Sequence, residues 1–176
     1  LLKEVEPHDW YELYPKKFNN KTNGITPRRW LLYSNPQLTQ LLTDTIGPEF
    51  KEDISNLSRL NQYISDQNLI DRFKAVKHQR KQILAEYIKK VTDIDVDVNS
   101  IFDVQAKRLH AYKRQMMNCM HIIDLYQRIK SDNSFTMHPV TFIFSAKAAP
   151  SYVFAKKVIE LINTLAQLIN NDPQVN

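Results

Sequence analysis

The chain of 176 residues has the length of one ordinary domain and carries 24 Lys+Arg against 19 Asp+Glu, a formal charge of +5. Hydrophobic residues at 43% with charged residues at 24% exclude a disordered charged tail and a membrane protein, and no apolar run approaches the span a bilayer needs. With glycine only at Gly24 and Gly47 there is no Walker loop and no G-x-G-x-x-G turn, and the single Cys119, with no opening signal peptide, points to a reducing, cytoplasmic setting.

Leu1 is not an initiator Met, and Asn176 closes an Asn-Asp-Pro stretch where a further strand is expected, so the chain is expected to be a fragment. From Leu1 to Trp30, aromatic residues mix with prolines and asparagines without a sustained period, which predicts irregular connector. Thr22-Asn23-Gly24 is a turn signal, and Thr26-Pro27 offers an N-cap with proline at the first helical position. Ser34-Asn35-Pro36 repeats that signal, Leu38, Leu41, Leu42 and Ile46 follow at helical spacing, and Gly47-Pro48 is a stop. A further helix is expected over Ile54 to Ile64. The longest is expected over Asp66 to Val91, with Leu69, Phe73, Val76, Ile83, Tyr87 and Val91 in one stripe opposite a solvated basic face.

The pattern then changes. Ile94 to Val98 alternates like an exposed strand, and Ile101 to Val104 reads as a more buried one. Helical spacing returns from His110 to Ile129. Val140 to Phe144 is a continuous apolar run suited to a strand covered on both faces, and Tyr152 to Ile169 is a strongly apolar helix. The expected class is α/β, with a helix-rich first half and then two βα units of a parallel sheet. Ligands of such sheets sit beyond the carboxyl ends of the strands, here after Val104 and after Phe144.

One of those segments stands out. Lys107-Arg108-Leu109-His110-Ala111-Tyr112-Lys113-Arg114 holds four fixed cations and an imidazole without one acidic residue, at the start of the predicted helix. Cations there are disfavoured by roughly 0.3–1 kcal/mol, and Ser, Thr, Asp and Asn are missing from the cap positions. A bound anion cures both faults. A solvated patch offset by acids such as Asp95 and Asp97 accounts for the composition equally, and the residues themselves leave both open. Lys107 and Arg108 are expected to precede the helix while Lys113 lies on it, so the cations approach a common point from different elements. Tyr112 could offer a hydroxyl to an anion or a sugar, although tyrosine at this spacing is more often core.

Other chemistries fail. Asp93, Asp95 and Asp97 imitate a calcium loop, yet Val98 stands where glycine is needed and Val104 where glutamate is needed. The five histidines lack zinc spacing, so no metal site is expected, and Cys119 reads as a buried inert thiol. Ser145 and Lys147 read as loop residues after a strand rather than a nucleophile and base.

Three motifs in order carry a resemblance: Lys21-Thr-Asn-Gly-Ile-Thr-Pro-Arg-Arg-Trp30, Phe102-Asp-Val-Gln-Ala-Lys-Arg-Leu-His-Ala-Tyr-Lys-Arg-Gln115 and Ala146-Lys-Ala-Ala-Pro150. In order and spacing the chain resembles the glycogen, starch and maltodextrin phosphorylases, most closely the bacterial α-glucan phosphorylases. The likeness runs through essentially the whole chain and covers roughly a quarter of a typical member. It implies that residues 1–30 end an N-terminal domain and connector, and that residues 31–176 begin a C-terminal Rossmann-like domain of GT-B type. It further implies a retaining glycosyltransferase that moves a terminal α-1,4-linked glucose from a glucan to inorganic phosphate, with pyridoxal phosphate acting through its phosphate group, in a homodimer.

Carried over residue by residue, the resemblance gives Lys107 to the cofactor phosphate and Trp30 to the neighbourhood of the cofactor ring. Arg108 and Lys113 hold the substrate phosphate; Asn23 and Tyr112 contact the sugar. Two phosphates face to face need converging cations, which accounts for the acid-free cluster. Ser145-Ala146 and Ser151 replace glycines common in relatives, and either position would be strained if it required positive φ. The Schiff-base lysine belongs to a glycine-rich segment absent from this chain, so no phosphorylase activity is expected of it alone. The competing readings are a non-catalytic anion or nucleic-acid binder, disfavoured for nucleic acid by the locality of the cluster, and a remnant with no function.

Overall fold

The computed structural model describes residues 1, 3–21 and 24–175. They form two compact units, Leu1–Lys77 and His78–Asn176. In the first lie α1 (His8–Leu13), a π-helical turn (Arg28–Tyr33), α2 (Pro36–Ile46), and two 3-10 segments, Pro48–Lys51 and Ile54–Tyr63. The long helix α3 (Gln67–Thr92) runs from this unit into the second. The second unit continues with β1 (Ile101–Ala106), a 3-10 turn (Ala111–Lys113), α4 (Gln115–Ser131), β2 (Val140–Ser145) and α5 (Val153–Asn170).

Local chemistry sets most of the boundaries. At α2, Asn35 Oδ1 accepts from the Leu38 amide at 3.1 Å, Pro36 takes the first helical position, and Gly47 ends the helix at φ 86°. At α3, Asp66 Oδ1 accepts from the Leu69 amide at 3.0 Å. The first unit closes around Leu42, Ile46 and Phe50, against which Leu57, Leu60 and Tyr63 pack. Those three residues recur every third position. A 3-10 helix brings positions i and i+3 into line, so the segment expected to be α-helical over Ile54 to Ile64 is a 3-10 run instead.

Other expectations change too. α1 forms inside the stretch expected to be irregular, helped by the stacked rings of Trp10 and Tyr14 at 6.3 Å; six residues are too few to show a period. The expected stripe of α3 is only partly covered, with Phe73 and Ile83 each 42% exposed and no buried residue on the helix. Ile94 to Val98 forms no strand. Lys89 instead pairs with Asp93 and Asp95 at 3.0 and 2.8 Å, and Asp97 Oδ1 accepts from the Asn99 amide in an Asx turn.

The sheet has two parallel strands in register from Ile101↔Val140 to Ala106↔Ser145, linked through α4. This is an α/β arrangement, as expected. The strands are less covered than expected: Ile101 and Val104, an odd number of positions apart and so on opposite faces, are 54% and 50% exposed, and β2 is half-buried. The core of this unit is Leu109, Cys119, Ala155, Val158 and Leu165, where α4 packs on α5. Cys119 is fully buried, and burial pushes its thiol up, in keeping with an inert cysteine. No helix among the described residues is long and apolar enough to cross a membrane.

Candidate functional site

Beyond the carboxyl ends of β1 and β2 the parallel pairing continues into both loops. The Lys107 amide donates to the Ser145 carbonyl at 3.1 Å, and the Leu109 amide donates to the Lys147 carbonyl at 3.2 Å. The two places to search therefore become one place. Leu109 is 3% exposed and drives its side chain into the α4–α5 core, while its neighbours Arg108 and His110 stay exposed. A buried apolar anchor between exposed polar residues fixes a turn by the same burial that stabilises the core.

The chain then makes a 3-10 turn and passes through Arg114 at φ 66° and ψ 24° before α4 begins at Gln115. Lys113 thus lies before the helix, not on it as expected. A left-handed arginine stores roughly 1–2 kcal/mol of backbone strain, which the surrounding bonds must hold. The Ala111 amide donates to Tyr152 Oη at 3.2 Å, and the His110 ring lies 4.6 Å from that of Tyr112 and 5.1 Å from that of Tyr152. On the core side, Gln115 Nε2 donates to the Arg108 carbonyl at 3.2 Å. The N-cap of α4 offers no side-chain acceptor to the first amides of the helix.

Charge is the distinguishing feature. Lys107, Arg108 and Arg114 are exposed, Lys113 is half-buried with its Nζ 5.7 Å from the centre of the Tyr112 ring, and Lys147 is exposed on the adjoining loop. Among the described residues none of these five cations is in an ion pair. The acids expected to offset them are engaged elsewhere: Asp95 on Lys89, and Asp97 on the Asn99 amide. The offset by Asp95 and Asp97 is therefore not what the fold provides. Cations without acids, beside a helix start without a side-chain cap, fit a phosphate-bearing group.

The remaining expected residues are placed as follows. Tyr112 is 70% exposed, which removes the core alternative for its ring. Trp30, in the first unit, is 59% exposed, with the Arg29 guanidinium 5.5 Å from its ring centre. Asn23 lies outside the described residues. Ser145, Ala146 and Ser151 have no positive φ, so the loop takes the place of the glycines without that strain. The sequence alone assigned no site role to Tyr152 or Gln115 and read Lys147 as a loop residue. The available signals for Lys147 were its position just after the second strand and its place in the Ala146–Pro150 motif; for Gln115 it was only membership in the Phe102–Gln115 motif, and for Tyr152, beyond the motifs, there was none.

The sequence model described as carbohydrate phosphorylase matches residues 1–176. Glycogen phosphorylase of Bacillus subtilis (strain 168) is 50% identical over 175 residues, 99% of this chain and 22% of that protein. The liver form of Ovis aries is 44% identical over 167 residues, 95% of this chain and 20% of that protein. Glycogen phosphorylase of Synechocystis sp. (strain ATCC 27184 / PCC 6803 / Kazusa) is 45% identical over 175 residues, 99% of this chain and 21% of that protein. The chain spans about a fifth of the length of the curated relatives it matches.

Proposed function

Because this chain belongs to the carbohydrate phosphorylase family, matched over residues 1–176, we infer that it carries the phosphate-handling segment of an α-1,4-glucan phosphorylase. That enzyme transfers the terminal glucosyl unit of a glucan to inorganic phosphate and releases glucose 1-phosphate. The observation that carries this is the set of five cations without acidic partners on two strand ends joined by backbone hydrogen bonds. Two unit charges of like sign 4 Å apart repel by about 4 kcal/mol at an effective dielectric near 20, so holding two phosphates together takes several fixed cations.

Arg108 presents a planar fork to the substrate phosphate, and Lys113 adds a compact charge on a half-buried stem. With the phosphate held there, a proton passes from it to the glycosidic oxygen, and the bond from that oxygen to the anomeric carbon breaks. A phosphate oxygen then bonds to the same carbon on the same face. Tyr112, exposed beside the cations, is assigned to the sugar hydroxyls. Lys107 and Trp30 are the residues that would hold pyridoxal phosphate, which when bound supplies a phosphate group as acid–base partner. For Trp30, and for Asn23 as a sugar contact, support comes from the motif alone. The parallel β1–α4–β2 unit supports a Rossmann-like domain of GT-B type, begun near Trp30; a homodimer completes the assignment by family, and a cytoplasmic setting rests on the single cysteine.

The test uses the active enzyme that contains this segment, loaded with pyridoxal phosphate and assayed for maltodextrin phosphorolysis. Arg108→Ala lowers turnover by about a thousandfold while the melting temperature stays within about 2 °C. A normal rate in that variant would remove Arg108 from the site. The 176 residues alone serve as the control without turnover, since the Schiff-base lysine is assigned to a glycine-rich segment not among them.

A further inference from the structure

The geometry points to Gln115 as a positioning residue for Arg108 in phosphate binding, a role that rests on the function proposed above. Gln115 is 1% exposed, and its side chain makes one hydrogen bond, from Nε2 to the Arg108 carbonyl at 3.2 Å. Its Oε1 is buried and has no partner among the described residues. A buried amide with half its capacity unused contributes little to stability, because the stranded Oε1 offsets much of what the one hydrogen bond to the Arg108 carbonyl gains. What the amide provides instead is control of one peptide group. The Arg108–Leu109 peptide is pinned at both ends: its carbonyl accepts from Gln115, and its N–H donates to the Lys147 carbonyl at 3.2 Å.

Fixing that peptide plane fixes the backbone torsion on the carbonyl side of the Arg108 Cα, and with it the direction in which the guanidinium leaves the chain. The next residue, Leu109, is anchored in the core, so the plane cannot drift as a unit. Gln115 itself follows directly on the left-handed Arg114, which lets the first residue of α4 turn back under the loop seven residues after Arg108. An exposed arginine has many rotamers, and a preset backbone is the means by which the fold narrows them before an anion arrives.

The test compares Gln115→Met and Gln115→Asn with the parent in the active, cofactor-loaded enzyme, measuring KM for phosphate and for maltodextrin separately. Methionine keeps the length and loses the donor; asparagine keeps the amide one methylene too short. In both, KM for phosphate rises by about tenfold or more while KM for the glucan moves by less than about twofold, the amount a misdirected phosphate ligand produces. The melting temperature of Gln115→Met stays within about 2 °C of the parent, because losing the stranded Oε1 offsets losing the donor to the Arg108 carbonyl. Equal movement of both constants, no movement of either, or failure of both variants to fold would make Gln115 a packing residue and overturn the assignment. Arg108→Ala separates the two levels. If it leaves KM for phosphate normal, the phosphate site itself is misplaced; if it raises that constant while Gln115→Met does not, only the positioning role falls.

Discussion

Gly47 shows how much a single backbone angle decides. It stands at φ 86°, a value that side chains resist, and an added Cβ would collide with the Glu49 carboxylate. That carboxylate pairs with Arg59 at 3.1 Å, and the same guanidinium donates to the Ile46 carbonyl at 3.1 Å, closing the C-terminus of α2. Gly47→Ala therefore adds backbone strain and dislodges the group that holds Arg59 in place. The expected cost is about 1–3 kcal/mol, most of it from the torsion, since the exposed ion pair contributes under about 1 kcal/mol. Urea unfolding reads it as a lower midpoint at constant slope, and an unchanged midpoint would mean that the turn relaxes freely. This stop and the Asn35 cap were legible in the sequence because their chemistry is confined to adjacent residues. The left-handed Arg114 was not, since no local preference of arginine announces it and only the packing on either side imposes it.

At the scale of elements, α4 is tied to the turn after α5 by one carboxylate. Asp172 Oδ2 accepts from Lys130 Nζ at 2.8 Å and from Tyr126 Oη at 2.7 Å, and Oδ1 accepts from the Gln174 amide at 3.0 Å. The Lys130 ammonium first, then the Tyr126 hydroxyl and the Gln174 amide, hold the Asp172 carboxyl down at about 2. A carboxyl depressed in the folded state stabilises the fold above its ordinary pKa near 4 and loses that contribution as pH falls toward about 2. Asp172→Asn should accordingly be less stable than the parent at neutral pH, with the gap closing between about pH 4 and pH 2. Melting temperatures across that range check it, and a gap independent of pH would show that the ionised carboxylate is not what ties the helices. None of this was readable beforehand, because the partners lie more than forty residues apart. The strands and the helices of this unit were readable from period and length. The apparent strand at Ile94 to Val98 misled because alternation records which side chains could face opposite ways, not whether a partner strand exists.

For the molecule as a whole, the surface is too large for its mass. The chain of 20.7 kDa exposes 13539 Å². A compact protein of that mass exposes about 9,000 Å², and two independent compact units of these lengths about 11,000 Å². The excess persists whatever the arrangement of the two units, so it belongs to their own faces. Trp10, Trp30 and Tyr33 in the first unit and Ile101, Val104 and Met117 in the second are all at least half exposed. Apolar surface exposed beyond what compact units show is surface that a hydrophobic dye or other protein can cover. The same physics explains why the site was partly legible. The acid-free run of cations is a property of sequence, whereas the union of the two strand ends, and the diversion of Asp95 and Asp97, exist only once the chain is folded. The 176 residues expressed alone should bind a hydrophobic dye such as anilinonaphthalene sulfonate strongly and elute above 20.7 kDa on sizing. Within the active enzyme, the same residues should bind little dye and join its cooperative melt. A dye-silent, sharply melting 20.7 kDa monomer would show that the two cores suffice, and that the exposed faces need no cover.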